Sequence, residues 1–85
     1  MAVRAYDRTM ELAPRIVADP AVCHGQAVVA GTRVPVAVVV GSLAGGMTVA
    51  EVAREYDLAE GDVRAALKYA AELTARESIH PLPAA

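Results

Sequence analysis

Two short stretches hold the residue types that most often carry enzymatic chemistry. Cys23 and His24 place a thiol beside an imidazole, and Gly31-Thr32-Arg33 combines a glycine, a hydroxyl group and a cation. A nucleophile and its base must lie within hydrogen-bonding reach of each other, which neighbours in sequence rarely achieve, and the second histidine, His80, lies far along the chain. We therefore expect Cys23 and His24 to be structural loop residues, and we expect the protein not to be an enzyme.

The sequence has no pattern typical of a metal, phosphate or cofactor site. A metal ion needs three or four converging ligands at tight spacing, which the chain does not offer. Gly31-Thr32-Arg33 lacks both the glycine-rich run and the lysine of a phosphate-binding loop. We expect no cofactor, no metal ion and no small-molecule ligand.

The composition indicates a small domain that binds other proteins. The chain has 85 residues, of which 55% are hydrophobic and only 4% aromatic, with no Trp or Phe. Alanine and valine dominate, so the core must consist of small side chains. We expect one domain over residues 1–79 and a loose tail over 80–85. A domain this apolar leaves apolar surface exposed, which favours a homo-oligomer, a dimer or higher, or a complex with a partner.

Charge and hydropathy indicate the cellular compartment and limit the kinds of binding partner. The net charge of −2 argues against an indiscriminate phosphate binder. The single cysteine gives no sign of an oxidising compartment, and the first 14 residues lack the apolar stretch of a signal peptide. The apolar run Val34–Val40 is far too short to span a bilayer. We expect a cytoplasmic protein without a membrane partner.

The first third of the chain predicts a weak helix followed by a small β unit. Apolar spacings of three and four predict an amphipathic helix over residues 3–13, ended by Pro14. The β-branched stretches 15–19 and 26–31 predict two strands, separated by Asp-Pro and Gly turn residues. Their pairing, centred on 15–18 and 27–30, is either a hairpin within the chain or a ribbon between two chains.

Gly31 and Pro35 predict a structural elbow between the β unit and a first helix. Glycine suits the turn, and proline suits the first turn of a helix. The valine-rich run that follows has strand propensity, but its apolar residues recur at helical spacing. We predict a helix over about 35–44 with its apolar face formed by Val36, Val39, Val40 and Leu43.

Two further helices are predicted after Gly45-Gly46. Thr48 and Glu51 form a capping box, and the face that follows contains Val49, Val52, Ala53 and Tyr56. The third helix is predicted over about 60–77, with one side formed by Val63, Leu67, Ala70, Ala71 and Thr74. The result is mainly α: a three-helix helix-turn-helix unit, of the winged-helix or homeodomain-like kind, with a small N-terminal β hairpin or intermolecular ribbon.

Such a unit has candidate residues for DNA binding. Arg64 and Lys68 on the third helix, with Arg54 on the second, have side chains that reach guanine or phosphate. The competing interpretation is a solvated face, because charged residues recur every fourth position along the third helix as Glu60, Arg64, Lys68, Glu72 and Arg76.

The order of the motifs resembles a bacterial family catalogued as domain of unknown function 433. The resemblance covers about residues 15–72, and its most specific part is the Gly-Thr-Arg-x-Pro-Val core. The matching residues are Ile16, Asp19-Pro20, Gly25, Val28-Val29, Gly31-Thr32-Arg33-Val34-Pro35-Val36, Gly46, Thr48, Glu51-Val52, Tyr56, Leu58, Val63 and Tyr69-Ala70.

Two positions depart from the family pattern. Ala27 stands where the family often has proline. Ala59 and Gly61 replace residues that would give the last helix a hydroxyl N-cap, for which Asp57 or Asp62 is the candidate substitute.

The resemblance implies an antitoxin-like fold. It also implies the antitoxin half of a type II toxin–antitoxin pair whose toxin is a PIN-like ribonuclease. Arg33 would then contact the partner, with Thr32 and Arg76 as further candidates. The alternative for Arg33 is structural: its guanidinium would bind carbonyls of the turn or a nearby acid such as Asp19. The alternative for the whole protein is a homodimeric DNA-binding regulator without a toxin.

Overall fold

Three short antiparallel strands precede three helices along the chain. The structure is a computed structural model and describes residues 9–77. Its elements are β1 (Met10–Ala13), β2 (Ile16–Ala18), β3 (Ala27–Val29), α1 (Val36–Ala44), α2 (Val49–Glu55) and α3 (Glu60–Arg76). The expected tail over 80–85 lies outside the described residues.

The three strands form one sheet in the order β1-β2-β3. The β1–β2 hairpin turns at Pro14-Arg15, where Arg15 adopts a left-handed φ of 69°, and the pairing has an irregularity at Leu12. Strand β2 pairs with β3 from Ile16 opposite Val29 onwards. The two strands predicted from the sequence therefore pair within the chain.

The helix predicted over residues 3–13 is wrong for its last turn. Met10–Ala13 is a strand that hydrogen-bonds to β2, and residues 1–8 lie outside the described part. The physical reason is the two-residue turn after Ala13, which folds this stretch back along β2. The ladder satisfies its backbone groups better than one isolated helical turn, which is costly to nucleate.

The valine-rich run after the elbow is a helix, as its periodicity predicts. Pro35 is the N-cap of α1, with φ −68° and ψ 145°, and the helix begins at Val36. Val36 and Val39 are buried, while Val40 and Leu43 pack against the core from half-buried positions. Burying a valine contributes about 1.5 kcal/mol or more, which outweighs its modest disadvantage in a helix.

Side-chain carboxylates bind backbone N–H groups at the starts of α2 and α3. The capping box at the start of α2 is present: the Thr48 N–H donates to Glu51 Oε1 at 2.8 Å, and the Glu51 N–H donates to Thr48 Oγ1 at 3.1 Å. Ala59, the N-cap of α3, has no side-chain acceptor to offer, but its N–H donates to Asp62 Oδ2 at 3.0 Å. Asp62 thus supplies half of a capping box.

The buried face of α3 is rotated from the predicted one. Val63 is buried as expected, but the other inward residue is Ala66, and Leu67 is 37% exposed. Ala71 and Thr74 are also exposed. The small Ala66 side chain permits a close approach of α3 to the helices it packs on, whereas leucine at that place would require more space.

The core is made almost entirely of small aliphatic side chains. It contains Ile16, Val29, Val36, Val39, Val52, Ala53, Val63 and Ala66. Tyr56 and Tyr69 pack on its edge, and the Tyr56 hydroxyl lies 3.0 Å from Ser42 Oγ. One layer of helices therefore packs on the sheet through residues from β2, β3 and all three helices.

Val39 is 0% exposed, and the Val39→Asp variant is expected not to fold. An unpaired charge in the core costs several kcal/mol, which matches or exceeds the whole stability of a small domain. Far-UV circular dichroism and thermal melting measure the loss. Val38→Asp is the control, because Val38 is exposed on the other side of α1. A cooperative melt of Val39→Asp near the wild-type temperature would show that the core has been assigned wrongly.

The capping box makes stability depend on pH. The Thr48 N–H donates to Glu51 and lowers the pKa of the Glu51 carboxyl, with smaller contributions from the Thr48 hydroxyl and Arg54. A lowered pKa in the folded state means that the stabilisation is present above the ordinary glutamate pKa and lost as pH falls through the lowered one.

Melting temperatures of the wild type and Glu51→Gln, measured across pH, test this dependence. We expect the wild type to be more stable at neutral pH and the difference to vanish in acid. Glu55→Gln, an exposed position on the same helix, should show a smaller dependence. A Glu51→Gln difference that stays constant down to strongly acidic pH would refute the role of the carboxylate.

Candidate functional site

The elbow, residues 30–35, is a turn whose shape is set by one side chain. Gly31 has a φ of 78°, a left-handed conformation that glycine adopts without steric cost. The Thr32 hydroxyl donates to the Val29 carbonyl at 2.8 Å and accepts from the Val34 N–H at 3.0 Å. The Val29 N–H in turn donates to the Val34 carbonyl at 3.0 Å. These bonds close the turn and fix its geometry.

The elbow is also tied to the turns around it. The Ala30 N–H donates to the Arg15 carbonyl at 2.7 Å, and the Cys23 thiol donates to the Arg33 carbonyl at 3.3 Å. Cys23 and its neighbour His24 both have left-handed φ values, 50° and 58°. Cys23 thus contributes a structural bond to the elbow.

Arg33 projects from this fixed turn into solvent. Its side chain is exposed and makes no hydrogen bond or ion pair with any residue in 9–77. Asp19, the acid expected to bind it under the structural interpretation, instead accepts from the Ala21 N–H at 2.8 Å and from the Thr9 hydroxyl at 3.4 Å. Within residues 9–77, the guanidinium therefore forms no polar contact that would stabilise the fold.

The other predicted partner contacts differ from Arg33. The Thr32 hydroxyl is used within the turn as both donor and acceptor. Arg76 is exposed in the last turn of α3, on a different element. Contact of either residue with a partner stays a prediction.

The three residues predicted to bind DNA are all exposed on α2 and α3. Arg64 Nη2 lies 3.4 Å from Glu60 Oε1, one turn earlier on α3. Lys68 follows one turn later on the same exposed face, and Arg54 lies near the end of α2. The predicted charge ladder along α3 is therefore a solvated face, at least one pair of which is formed within the helix.

One contact that positions α3 was not foreseen. Arg15 Nη1 lies 3.4 Å from Asp62 Oδ1, and its guanidinium packs so closely over Gly61 that a Cβ there would clash with it. The two partners are 47 residues apart, so no local pattern could have linked them. The only signal was the glycine at the start of the helix.

Residues 9–77 contain neither a metal-binding cluster nor a membrane-spanning helix. No three His, Cys, Asp or Glu side chains in this part of the chain are grouped so that they could hold a metal ion. Nor does any helix in it combine the length and apolar character needed to cross a membrane.

Comparison with known proteins places the chain in a family. The model of the family "Protein of unknown function (DUF433)" matches residues 16–70, and the chain belongs to this family. The crystal structure of Rv2018 from Mycobacterium tuberculosis is similar, with a TM-score of 0.66 and 31% sequence identity. The match covers 79% of this chain and 34% of that one, so this chain spans about a third of Rv2018. No curated protein matches the sequence.

Gly31→Ala should destabilise the protein through its backbone alone. A Cβ on Gly31 would meet no atom within 4 Å, so only the left-handed conformation opposes it, at a cost of about 1–2 kcal/mol. Gly41→Ala is the matched control: it too has open space but lies inside α1, where alanine is favoured by about 1 kcal/mol. Chemical denaturation of both variants should give opposite signs. Equal effects would show that the conformation of Gly31 is not a constraint on the elbow.

Proposed function

We propose that this protein is a non-catalytic, antitoxin-like binding protein that uses the Arg33 elbow to bind and neutralise a PIN-like ribonuclease. The observation that carries the proposal is the exposed Arg33 side chain on a turn closed by its own hydrogen bonds. The family's resemblance to antitoxins suggests which partner to test.

A rigid elbow suits recognition of an acidic partner surface. Guanidinium groups offer five N–H donors in a planar fork that matches carboxylates. Because the Thr32 bonds already hold the backbone in place, binding loses little backbone entropy, which improves affinity. The side chain of Arg33 itself still has to be ordered when it binds.

The binding partner would have to supply the negative charge. The chain itself has a net charge of −2, so its overall charge does not attract an acidic surface, and the attraction would have to come from a local cation such as Arg33. An acidic group of the ribonuclease, brought to Arg33, would gain a charge-assisted hydrogen bond. Placing a protein on that group would then deny it to the substrate, and this is how binding would inhibit the enzyme.

Arg33→Ala should leave the fold intact and weaken binding to the ribonuclease by about tenfold or more, because a charge-assisted hydrogen bond contributes about 1.5–3 kcal/mol. Arg33→Lys should recover part of the affinity, since it keeps the charge but not the fork. The neighbouring genes are first examined for a PIN-like ribonuclease, and the measurement is calorimetric titration of that protein, followed by its ribonuclease activity.

Arg64→Ala is the matched control, since Arg64 is an exposed arginine on another element. If Arg33→Ala folds and binds the ribonuclease with wild-type affinity, the elbow is not part of the interface. Unfolding of Arg33→Ala would instead make Arg33 a structural strut. If no PIN-like protein binds the wild type, the antitoxin proposal fails.

A DNA-binding regulator is the second candidate, favoured by the capped helix α2, the tight turn and the longer helix α3. The acidic residues around the start of α3 oppose it, because helix-turn-helix proteins approach bases with this end of the recognition helix. Asp57, Glu60 and Asp62 lie there, and Glu60 already pairs with Arg64. Arg64→Ala also distinguishes the two candidates. The measurement is a low-salt gel shift of DNA from the promoter of the protein's own gene. A shift that is lost in Arg64→Ala but kept in Arg33→Ala would favour the regulator.

A further inference from the structure

An open, apolar cleft lies between α1 and α3. Its volume is about 460 Å³. Val36, Ala37 and Val40 of α1 form one wall, and Tyr69, Ala70 and Leu73 of α3 form the other. We call this surface the α1–α3 cleft.

The cleft offers few polar groups to a small molecule. Gln26, Tyr69 and Thr74 are the lining residues with polar side-chain atoms, and the Thr74 hydroxyl already donates to the Ala70 carbonyl at 2.9 Å. Small-molecule sites of this size depend on several placed polar groups to orient the ligand. An apolar side chain is a better match to these walls.

The rim of the cleft carries such a side chain. Leu73 is 47% exposed, although it follows Val63, Ala66 and Ala70 at the same helical spacing of three and four. The inward-facing stripe of α3 therefore continues beyond the core that it packs on. From Ala71 to Glu77 every residue is exposed, so little of the described chain covers the last turns of α3.

We propose that a second copy of this chain covers the α1–α3 cleft, with the last turns of the two α3 helices packed antiparallel about a two-fold axis near Leu73. A two-fold interface requires one surface that complements itself. Here the cleft is a recess and Leu73 on its rim is a projection, so Leu73 of each copy would enter the cleft of the other.

The charges beside the cleft favour the same arrangement. Glu72 and Arg76 are exposed, opposite in charge and one helical turn apart. With the axis at Leu73, Glu72 of one copy and Arg76 of the other differ by about 3 Å along the helix direction, given a rise of 1.5 Å per residue. The symmetry repeats this attraction, so two ion pairs flank the apolar contact.

The pairing leaves the elbow uncovered. Arg33 does not line the α1–α3 cleft, so the proposed self-association does not depend on the proposed function. Arg33→Ala should dimerise as the wild type does, even where it fails to bind a ribonuclease.

Sedimentation equilibrium of the full chain over a range of concentrations tests the proposal. We expect the wild type to dimerise and Leu73→Glu to raise the dimer dissociation constant by at least about tenfold, a change of 1.4 kcal/mol. Leu67→Glu is the matched control, being the same residue on the same helix with 37% exposure but outside the cleft. Circular dichroism checks that both variants fold.

Charge reversal tests the antiparallel arrangement without disturbing the apolar contact. Glu72→Arg and Arg76→Glu should each weaken the dimer, because each places like charges across the axis. The double variant Glu72→Arg/Arg76→Glu should recover the wild-type dissociation constant. A wild type that remains monomeric at high concentration, or a folded Leu73→Glu that dimerises normally, would overturn the proposal. Failure of the double variant to recover would overturn the antiparallel pairing.

Discussion

The close packing of small aliphatic side chains is the constraint on which the rest of the structure depends. Within residues 9–77 the core consists of valine, alanine and one isoleucine, without a buried aromatic ring. Each such residue contributes about 1.5 kcal/mol or somewhat more when buried, and the margin left after the entropy of folding is small. The elements must therefore approach one another closely, which is why alanines occupy inward positions on α2 and α3.

Because the net stability of such a core is small, unsatisfied backbone groups at the ends of its short elements would destabilise the fold. Each junction accordingly has its own local solution. The capping box starts α2, Asp62 accepts from the Ala59 N–H at the start of α3, and the Thr32 hydroxyl closes the elbow. A buried donor or acceptor without a partner would cost about 1–3 kcal/mol, comparable with one core valine.

Features with local causes were predictable from the sequence. The three helices follow from apolar spacing, and the capping box follows from Thr48 and Glu51, because both depend on residues a few positions apart. Strand β1 was missed because its partner is selected by the hairpin turn rather than by its own composition. The rotated face of α3 was missed because periodicity fixes a stripe only roughly, and the space available beside Ala66 decides which residues turn inward.

The same distinction between local and long-range causes applies to the candidate site. Proximity in sequence was enough to bring Gly31, Thr32 and Arg33 into one turn, but not to show that the Thr32 hydroxyl would be used within it while Arg33 stayed exposed. Asp19, the acid nearest to it in the sequence-based interpretation, is instead bound by the Ala21 N–H of its own turn and by the Thr9 hydroxyl. The Arg15–Asp62 contact joins the sheet to α3 across 47 residues, and such a pair is visible only once the fold is assembled.

The elbow and the α1–α3 cleft use different parts of the surface, and this separation has a consequence for binding. Self-association through the cleft would place two elbows in one assembly without altering either. A partner that is itself dimeric would then meet two Arg33 side chains, and its second contact would form at the high effective concentration set by the first. Modest contacts at each elbow would be multiplied in this way, which is how a chain that offers a single Arg33 elbow per copy would reach tight binding.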